Sequence, residues 1–419
     1  MSSPKFLLIL VALSAVAASS AKYSGYVVIR ATPTSQQHLA ILRQLDTTGL
    51  YDFWAGPFKI VGQSCDIMVS PKQKGDVVAT LKAARMSHFV MIDDVEILLQ
   101  DERNRLDAKQ SGNMTWTEYH RMDTIYAWMD GLVAANPNLV SIETYGSSNQ
   151  GKPLKVLKVS TGGSNKPAFW IDSAIHAREW ISPAVNTYIM NDLIHNINHA
   201  NLRAGIDFYF APLINPDGYE YTFTTDRMWR KSRSTNVGSA CIGTDVNRNF
   251  GFKWGVDNDG SSPNPCTETH RGADAYSEPE ADHVNNYISG KANSTNWTAF
   301  ITLHSYSQLW MSPYGWSDQA ADLPADLAEL VAVSNQCVAA LTAVHGTQYQ
   351  TGAASQILYK SNGSSRDWAK GDGGFKWVYT IELRDTGRYG FVLPPEQILP
   401  TAQETWAGVQ VLARHILTK

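Results

Sequence analysis

Three apolar runs in the second half of the chain, "IDFYFAPLINPDG", "NWTAFITLHSY" and "WVYTIELRD", most restrict what it can fold into. Each reads as a buried strand, because a half-solvated strand would alternate apolar with polar residues. Two more strands read at "KVLKVST" and "KPAFWIDSAI", and a helical stretch follows from about Ser182. Strands alternating with helices make the chain from about Asn113 onward one α/β domain. A helix opens it, with Thr115 and Glu118 spaced as a capping box ahead of an apolar stripe at Tyr119, Met122, Tyr126 and Met129. "TAQETWAGVQVLARHILTK" closes the chain as a helix, with a second such box at Thr401 and Glu404.

Residues from about 22 to 100 carry a separate pattern. "YSGYVVIRA" alternates as a strand does and "SQQHLAILRQL" has apolar residues at helical spacing. "YDFWAG" and "CDIMVSP" read as strands, "KQKGDVVATLKAARM" as a helix and "HFVMIDD" as a last strand. The order βαββαβ is that of a small ferredoxin-like α+β sandwich. "LLQDERNRLDAKQSGN" then reads as a charged tether, offering Arg103, Arg105 and Lys109 to a trypsin-like protease. Such a module behind a basic tether has the layout of a removable pro-segment.

The first residues, "MSSPKFLLILVALSAVAASSA", have the lysine, short apolar run and small-residue exit of a secretory signal peptide, cut after Ala17 or Ala21. No second apolar run reads as long enough to span a bilayer, so the expected product is soluble and secreted. A net charge of -4 offers nothing to nucleic acid or to an anionic membrane surface. Four cysteines in an oxidising compartment allow two disulfides or one plus strays. Cys241 and Cys266 enclose a short Gly- and Pro-rich loop and are the expected pair, with Cys65 and Cys337 left unpaired. Sequons stand at Asn113, Asn293, Asn296 and Asn362, the last expected to carry no glycan.

"AIHAREW" places His176 and Glu179 three apart just beyond a strand, where imidazole and carboxylate can converge on one cation, and this donor pair suits zinc. "ITLHSYSQ" offers His304 at the end of a buried strand as a third ligand, leaving a fourth position open. "DRMWRKSR" supplies Arg227, Arg230 and Arg233, "DVNRNF" supplies Asn247 and Arg248, and "YTIELRD" places Glu382 at the far end of another strand. Singly these have bland readings: a surface basic run, a turn asparagine, a satisfied core carboxylate. Jointly they are the inventory of a zinc peptidase that grips a free carboxylate end. No G-x-S-x-G motif argues for a covalent nucleophile.

With "HAREW", "NPDGYEYT", "WRKSRS", "DVNRNF", "HSYSQ" and "ELRDTGRYGFVLP" in place, the chain resembles the secreted zinc carboxypeptidases of the A/B type, in zymogen form. The resemblance implies a mixed eight-stranded twisted sheet with helices on both faces, preceded by the ferredoxin-like pro-domain. It divides the chain into a signal peptide (1–21), an activation domain with its basic tether (22–109) and a catalytic domain (110–419). It implies one zinc per chain on His176, Glu179 and His304, with Asp245 orienting His176. Glu382 corresponds to the general base and Arg230 to the group that polarises the scissile carbonyl. Asn247 and Arg248 correspond to the pair that binds the substrate's terminal carboxylate, Tyr359 to the mobile tyrosine that closes over it, and Arg178 to a residue facing the peptide further upstream. Phe391 corresponds to the pocket mouth. The implied partners are peptide and protein C-termini, a trypsin-like activating protease and proteinaceous carboxypeptidase inhibitors, around a monomer working in a digestive lumen. A catalytically silent peptide-binding relative would be expected to lack a zinc ligand, Arg230 or Glu382, and all are present.

In the resembled family, the residue two before the Trp of "RDW" forms the floor of the side-chain pocket. Here it is Arg366, within "YKSNGSSRDW", a stretch that reads as a loop. A buried guanidinium without a partner costs several kcal/mol. An incoming Glu or Asp side chain would supply that partner, so Arg366 implies preference for acidic C-termini, Glu over Asp by reach. The alternative is an Arg366 that turns outward or pairs with Asp367, leaving a broad aliphatic or aromatic preference.

Overall fold

The computed structural model describes residues 21–57, 60–108 and 112–419. The expected signal peptide up to Ser20, with its Ala17 cut, and Lys109 lie outside the described residues. The N-terminal unit runs β1 (Val27–Thr32), α1 (Gln36–Thr47), β2 (Asp52–Ala55), β3 (Cys65–Val69), α2 (Lys74–Ala83) and β4 (Ser87–Ile92). Its sheet has the order β2-β3-β1-β4 with every pairing antiparallel, the ferredoxin-like topology expected. The stretch read as a tether is helical instead: α3 spans Val95–Ala108. Val95 and Leu99 are buried, and Glu102 is drawn down onto Arg227, so a charged sequence still has one face to bury.

The second unit runs α4 (Met122–Ala135), β5 (Val140–Ser147), β6 (Pro153–Val159), β7 (Pro167–Ser173), α5 (Ile181–His195), α6 (Ala200–Gly205), β8 (Asp207–Ala211) and α7 (Pro216–Thr224). It continues through α8 (Pro279–Gly290), β9 (Asn296–Ser305), β10 (Leu309–Ser312), α9 (Leu327–His345), β11 (Gln350–Ala353) and α10 (Ala354–Ile357). It ends with α11 (Ser365–Gly371), β12 (Trp377–Leu383) and α12 (Ile398–Leu417). The eight strands lie in the order β11-β10-β12-β9-β7-β8-β6-β5, with β12, β9, β7 and β8 mutually parallel in the middle. Alternate residues of those strands face two different cores. Phe169, Ile171, Ile301 and Ile381 pack with α5, α9 and α12, whereas Ala168, Trp170, Phe300 and Val378 pack with α8 and α11.

Several local expectations fail for identifiable reasons. Both capping boxes are absent. Met122 N donates to Glu220 of α7 at 2.9 Å, so a distant carboxylate starts α4 seven residues beyond Thr115. Thr401 lies inside α12, its hydroxyl donating to Gln397 O, and Glu404 binds Arg384. The "NPDG" that follows the first apolar run opens α7, where Asn215 accepts from Gly218 N and Pro216 sits in the first turn. The "SSRDW" end of the expected loop starts α11, with Ser364 accepting from Asp367 N. The 19-residue α9, mean hydropathy 1.5, is long and apolar enough to cross a membrane. Here it lies against α12 and the sheet through Leu330, Val333, Cys337 and Leu341. The Cys241–Cys266 disulfide is present, and Cys65 and Cys337 are free and buried.

Glu280, in the first turn of α8, is fully buried; Asn149 N donates to its Oε1, and its Oε2 has no hydrogen-bond partner among the described residues. Burial pushes its carboxyl from an ordinary 4.5 up to about 8. The folded state therefore keeps a proton that the unfolded chain releases, and this lowers stability progressively as pH rises from 4.5 to about 8. Glu280→Gln is expected to melt higher than the wild type by a margin that grows across that window and is constant above it. Thermal denaturation at a series of pH values measures this.

Candidate active site

The parallel arrangement brings the C-terminal ends of β7, β9 and β12 to one edge of the sheet, the place where open α/β sheets build their sites. Glu382 stands opposite His304 in the β12–β9 register. His176 and Glu179 follow β7 in the turn that leads into α5. Register thus does what no local spacing could: it sets residues 128 apart in sequence, His176 and His304, with Nδ1 atoms 3.1 Å from one another.

His176, Glu179 and His304 are all buried, and their ligand atoms lie within 4.8 Å of one another. Glu179 Oε1 is 2.8 Å from His176 Nδ1, and its Oε2 is 3.1 Å from His304 Nδ1. Asp245 Oδ1 lies 3.1 Å from the other nitrogen of His176, Nε2. A carboxylate there can only accept, so it holds the proton on Nε2 and turns the Nδ1 lone pair toward Glu179 and His304. Burial lowers the affinity of His304 for a proton, keeping the ring in its ligating form. Two imidazole lone pairs and one carboxylate converging in a dry site are the donor set of a zinc centre with three protein ligands.

Positive charge surrounds this triad. Arg230 Nη2 donates to Asp245 Oδ2 at 2.7 Å, and its Nη1 is 3.2 Å from His176 Nδ1. Burial works against ionisation of Asp245, yet Arg230, His176 and Arg248 hold it well below the usual carboxylate range. Arg248 is buried, with Nε donating to Gly260 O at 2.8 Å and Nη1 to Asn247 O at 3.0 Å. Asn247 takes its backbone N–H to Asp245 Oδ1, while its amide oxygen accepts from Ser365 N at 2.9 Å and so ties the start of α11 to the site. Glu382 is half-buried on β12 beside His304. Burial and the nearby Glu179 charge hold its carboxyl well above the usual range, against the pull of Arg230, Arg366 and Arg248. Tyr359 joins Arg178, Arg230 and Arg248 in lining a cavity of about 630 Å³, with its ring centroid 5.9 Å from the Arg248 guanidinium carbon.

The N-terminal unit forms the other wall of that cavity, through Asp46, Asp52, Phe53 and Trp54. Asp52 receives both terminal nitrogens of Arg178, at 2.7 and 3.1 Å. Trp54 meets Phe391 edge-on at 5.2 Å between ring centroids, and Asp66 accepts from the Tyr306 hydroxyl at 2.8 Å. Glu102 accepts from Arg227, whose other nitrogens donate to the carbonyls of Arg178 and Phe391. Arg103 pairs with Glu96 within α3, and Arg105 reaches Glu396 at 2.7 Å. Arg178 and Phe391 are therefore covered in this form of the chain. Sequence reading missed Asp46, Asp52 and Glu268 in the lining of the cavity, and Asp66 and Glu102 as carboxylates bonded to the second unit, since no local pattern distinguishes such a carboxylate from a surface one.

Arg366 does not turn outward; it is 4% exposed. Its Nε donates to Asp367 Oδ1 at 2.9 Å, while Nη2 donates to Ser361 Oγ at 3.0 Å and Nη1 to Thr380 Oγ1 at 3.4 Å. Thr380 and Glu382 are two apart on β12 and share a face of the sheet, so the guanidinium lies on the side where Glu382 points. Asn362 is buried, with its amide oxygen accepting from Ser261 Oγ and its nitrogen donating to Asp257, an arrangement with no room for a glycan.

Comparison with known proteins agrees with this geometry. The family model described as "Zinc carboxypeptidase" matches residues 125–408, and that described as "Carboxypeptidase activation peptide" matches residues 29–102. Carboxypeptidase B of Astacus astacus is 47% identical over 305 residues, 72% of this chain and 98% of its own length. Carboxypeptidase A1 of Bos taurus is 38% identical over 422 residues, 98% of each chain. The crystal structure of thrombin activatable fibrinolysis inhibitor superposes with a TM-score of 0.84 at 34% identity, covering 95% of this chain and 100% of that one. The bovine form of that protein, solved in complex with tick carboxypeptidase inhibitor, superposes with a TM-score of 0.68 at 39% identity over 72% of this chain and 99% of its own.

The wild-type chain is expected to bind one zinc, and Glu179→Ala to bind none at the same free metal concentration, because removing one of three ligands leaves two facing imidazoles. Metal analysis after equilibrium dialysis reads the stoichiometry without reference to any activity.

Proposed function

Because the chain belongs to the zinc carboxypeptidase family and carries that family's activation peptide ahead of the enzyme, we propose that it is a secreted zymogen whose activated form removes C-terminal Glu, and less efficiently Asp, from peptides and proteins. His176, Glu179 and His304 hold the zinc, and the other assignments rest on where the remaining side chains lie around them. The zinc, when bound, supplies Lewis acidity toward the scissile carbonyl and a water whose pKa is brought to ~7.

The chain's own residues do the rest. Glu382, with its raised proton affinity, takes a proton from the attacking water and returns it to the leaving amine. Arg230, fixed by Asp245 beside His176, faces the position where negative charge develops on the carbonyl oxygen. Arg248 and Asn247 receive the terminal carboxylate, and Tyr359 closes over it from the adjoining wall. Arg178 is left without its carboxylate once Asp52 departs with the activation peptide, and it then faces the upstream part of the substrate.

The single observation that carries the acidic preference is the burial of the Arg366 guanidinium with only hydroxyls on its two terminal nitrogens. The foreseen bond to Asp367 exists, but it uses Nε alone. The Asp367 carboxylate is also engaged by Gly315 N and Trp316 N, so it is shared. A bound Glu carboxylate supplies the missing charge, while a Lys or Arg side chain meets repulsion and an apolar one leaves the cation uncompensated. Secretion is supported by the leader-like N-terminal sequence and by the activation peptide. A trypsin-like protease activates the chain after Arg103, Arg105 or Lys109, and proteinaceous inhibitors of carboxypeptidases fit the exposed cleft thereafter.

Trypsin-activated protein is expected to release C-terminal Glu faster than Leu, Phe or Arg from otherwise identical peptides; faster release of any of those three rejects the acidic reading. Arg366→Ile is expected to reverse the order toward apolar ends, and an unchanged profile counts against the role of Arg366. Glu382→Gln is expected to lose on the order of 10²- to 10⁴-fold in kcat while retaining its zinc, as steady-state kinetics and metal analysis together decide.

A further inference from the structure

The activation unit meets the enzyme unit at its first residues as well as along α3. Tyr23, ahead of β1, is buried and shares an apolar cluster with Trp54, Met228 and Phe391. Its hydroxyl donates to Asp226 Oδ1 at 2.7 Å, and Lys22 Nζ lies 2.5 Å from Asp226 Oδ2. Asp226 stands just beyond α7, where its Oδ1 also accepts from Met228 N at 3.2 Å, so the carboxylate is set by its own backbone. Burial and the Asp226 charge hold the Tyr23 phenol well above its usual range, so it stays a donor. Arg227, the next residue along, takes Glu102 from α3. The two ends of the activation unit thus reach neighbouring residues of one segment. They are also joined to each other. Tyr23 N donates to Glu96 Oε2 at 3.1 Å, Arg103 donates to the other oxygen of Glu96, and Val95 N donates to Tyr26 O at 2.8 Å.

We infer that Asp226 is the docking point for the N-terminal residues of the activation unit, with the Tyr23 hydroxyl as its ligand, and that Asp226 and Arg227 form a two-point clasp on both ends of that unit. The two points are opposite in sign. An enzyme anion receives the start of the unit, and an enzyme cation receives α3. A reversed docking would set Glu102 against Asp226 and Lys22 against Arg227, so the alternation fixes which end goes where. Lys22 adds little, because its side chain is 57% exposed and so open a pair is screened by water. The Tyr23 bond is buried, and a hydrogen bond to a charged group is worth more there than a neutral one. A unit held at α3 alone can pivot away from the cleft, and the second point removes that freedom. A cut after Arg103, Arg105 or Lys109 leaves Tyr23 and Glu102 on the same piece, so both points must open before it departs.

The test uses full-length protein as wild type, Tyr23→Phe, Asp226→Ala and the double variant. Each is cut to completion with trypsin, the trypsin is blocked, and the sample is diluted into the peptide that the wild type cleaves fastest, so the outcome is independent of the acidic preference. The rate at which activity rises to its plateau reads the departure of the cut unit. Tyr23→Phe keeps the ring and is expected to reach the plateau about tenfold faster, the worth of one hydrogen bond to a charged group. Its plateau should equal that of the wild type, because Tyr23 is no part of the activated enzyme. In the Asp226→Ala background, Tyr23→Phe is expected to bring no further acceleration. Equal rates in wild type and Tyr23→Phe, whether slow or immediate, overturn the inference. An acceleration of the same size without Asp226 overturns it too, because the phenol would then act through some other contact.

Discussion

The site depends on the Asp245 carboxylate. It is fully buried and faces four groups at once: Asn247 N and His176 on one oxygen, Arg230 and the more distant Arg248 on the other. A carboxylate buried alone would be severely destabilising, and one surrounded by two guanidiniums and an imidazole is held ionised. Its negative charge lets two arginines lie close together beside a cationic metal site without mutual expulsion. The same oxygens set which nitrogen of His176 carries the proton and where the Asn247 backbone sits. The metal ligands, Arg230, Arg248 and Asn247 are thus aligned by one side chain, and α11 joins them through Asn247 and Ser365.

The activation peptide uses the same chemistry from outside. Asp52 on Arg178 and Glu102 on Arg227 are carboxylates of one unit bonded to guanidiniums of the other. Apolar contact supplies the area, with Trp54 on Phe391, and with Ile357 and Leu358 merging into the core under β1 and β3. Paired charges at such an interface add little net stability but fix the register in which the surfaces meet, since a shifted unit would leave buried guanidiniums unpaired. The substrate cleft is therefore covered by a unit that presents acidic groups where a peptide would otherwise lie. Without that unit Arg178 and Arg227 lose these two carboxylates.

Reading the chain alone located most strands and helices, because an apolar run or a 3.6-residue stripe is a local property. It failed where a partner distant in sequence decided the outcome. Thr115 and Glu118 have the spacing of a cap, yet Glu220 from α7 starts the helix seven residues later. The α3 sequence is so charged that it reads as a tether, yet Glu102 finds Arg227 and the segment is helical. The "SSRDW" end of the Gly- and Ser-rich stretch opens a helix because Ser364 caps it and Asn247 receives Ser365 N.

What the sequence alone determined was chemical identity: an imidazole–carboxylate pair three apart, a histidine and a glutamate at strand ends, arginines in two clusters, and two units of different periodicity. Those are statements about residue type and near-neighbour spacing, which a linear chain carries in full. What only the tertiary structure decided was who meets whom. His304 faces His176 because β9 and β7 are parallel neighbours, and Glu382 stands beside His304 because β12 lies next in register. Arg366 faces inward because Gly315, brought from fifty residues earlier in the chain, leaves the space for it. Burial and charge compensation are properties of enclosed volumes, and the volume exists only once the sheet has brought its strand ends together.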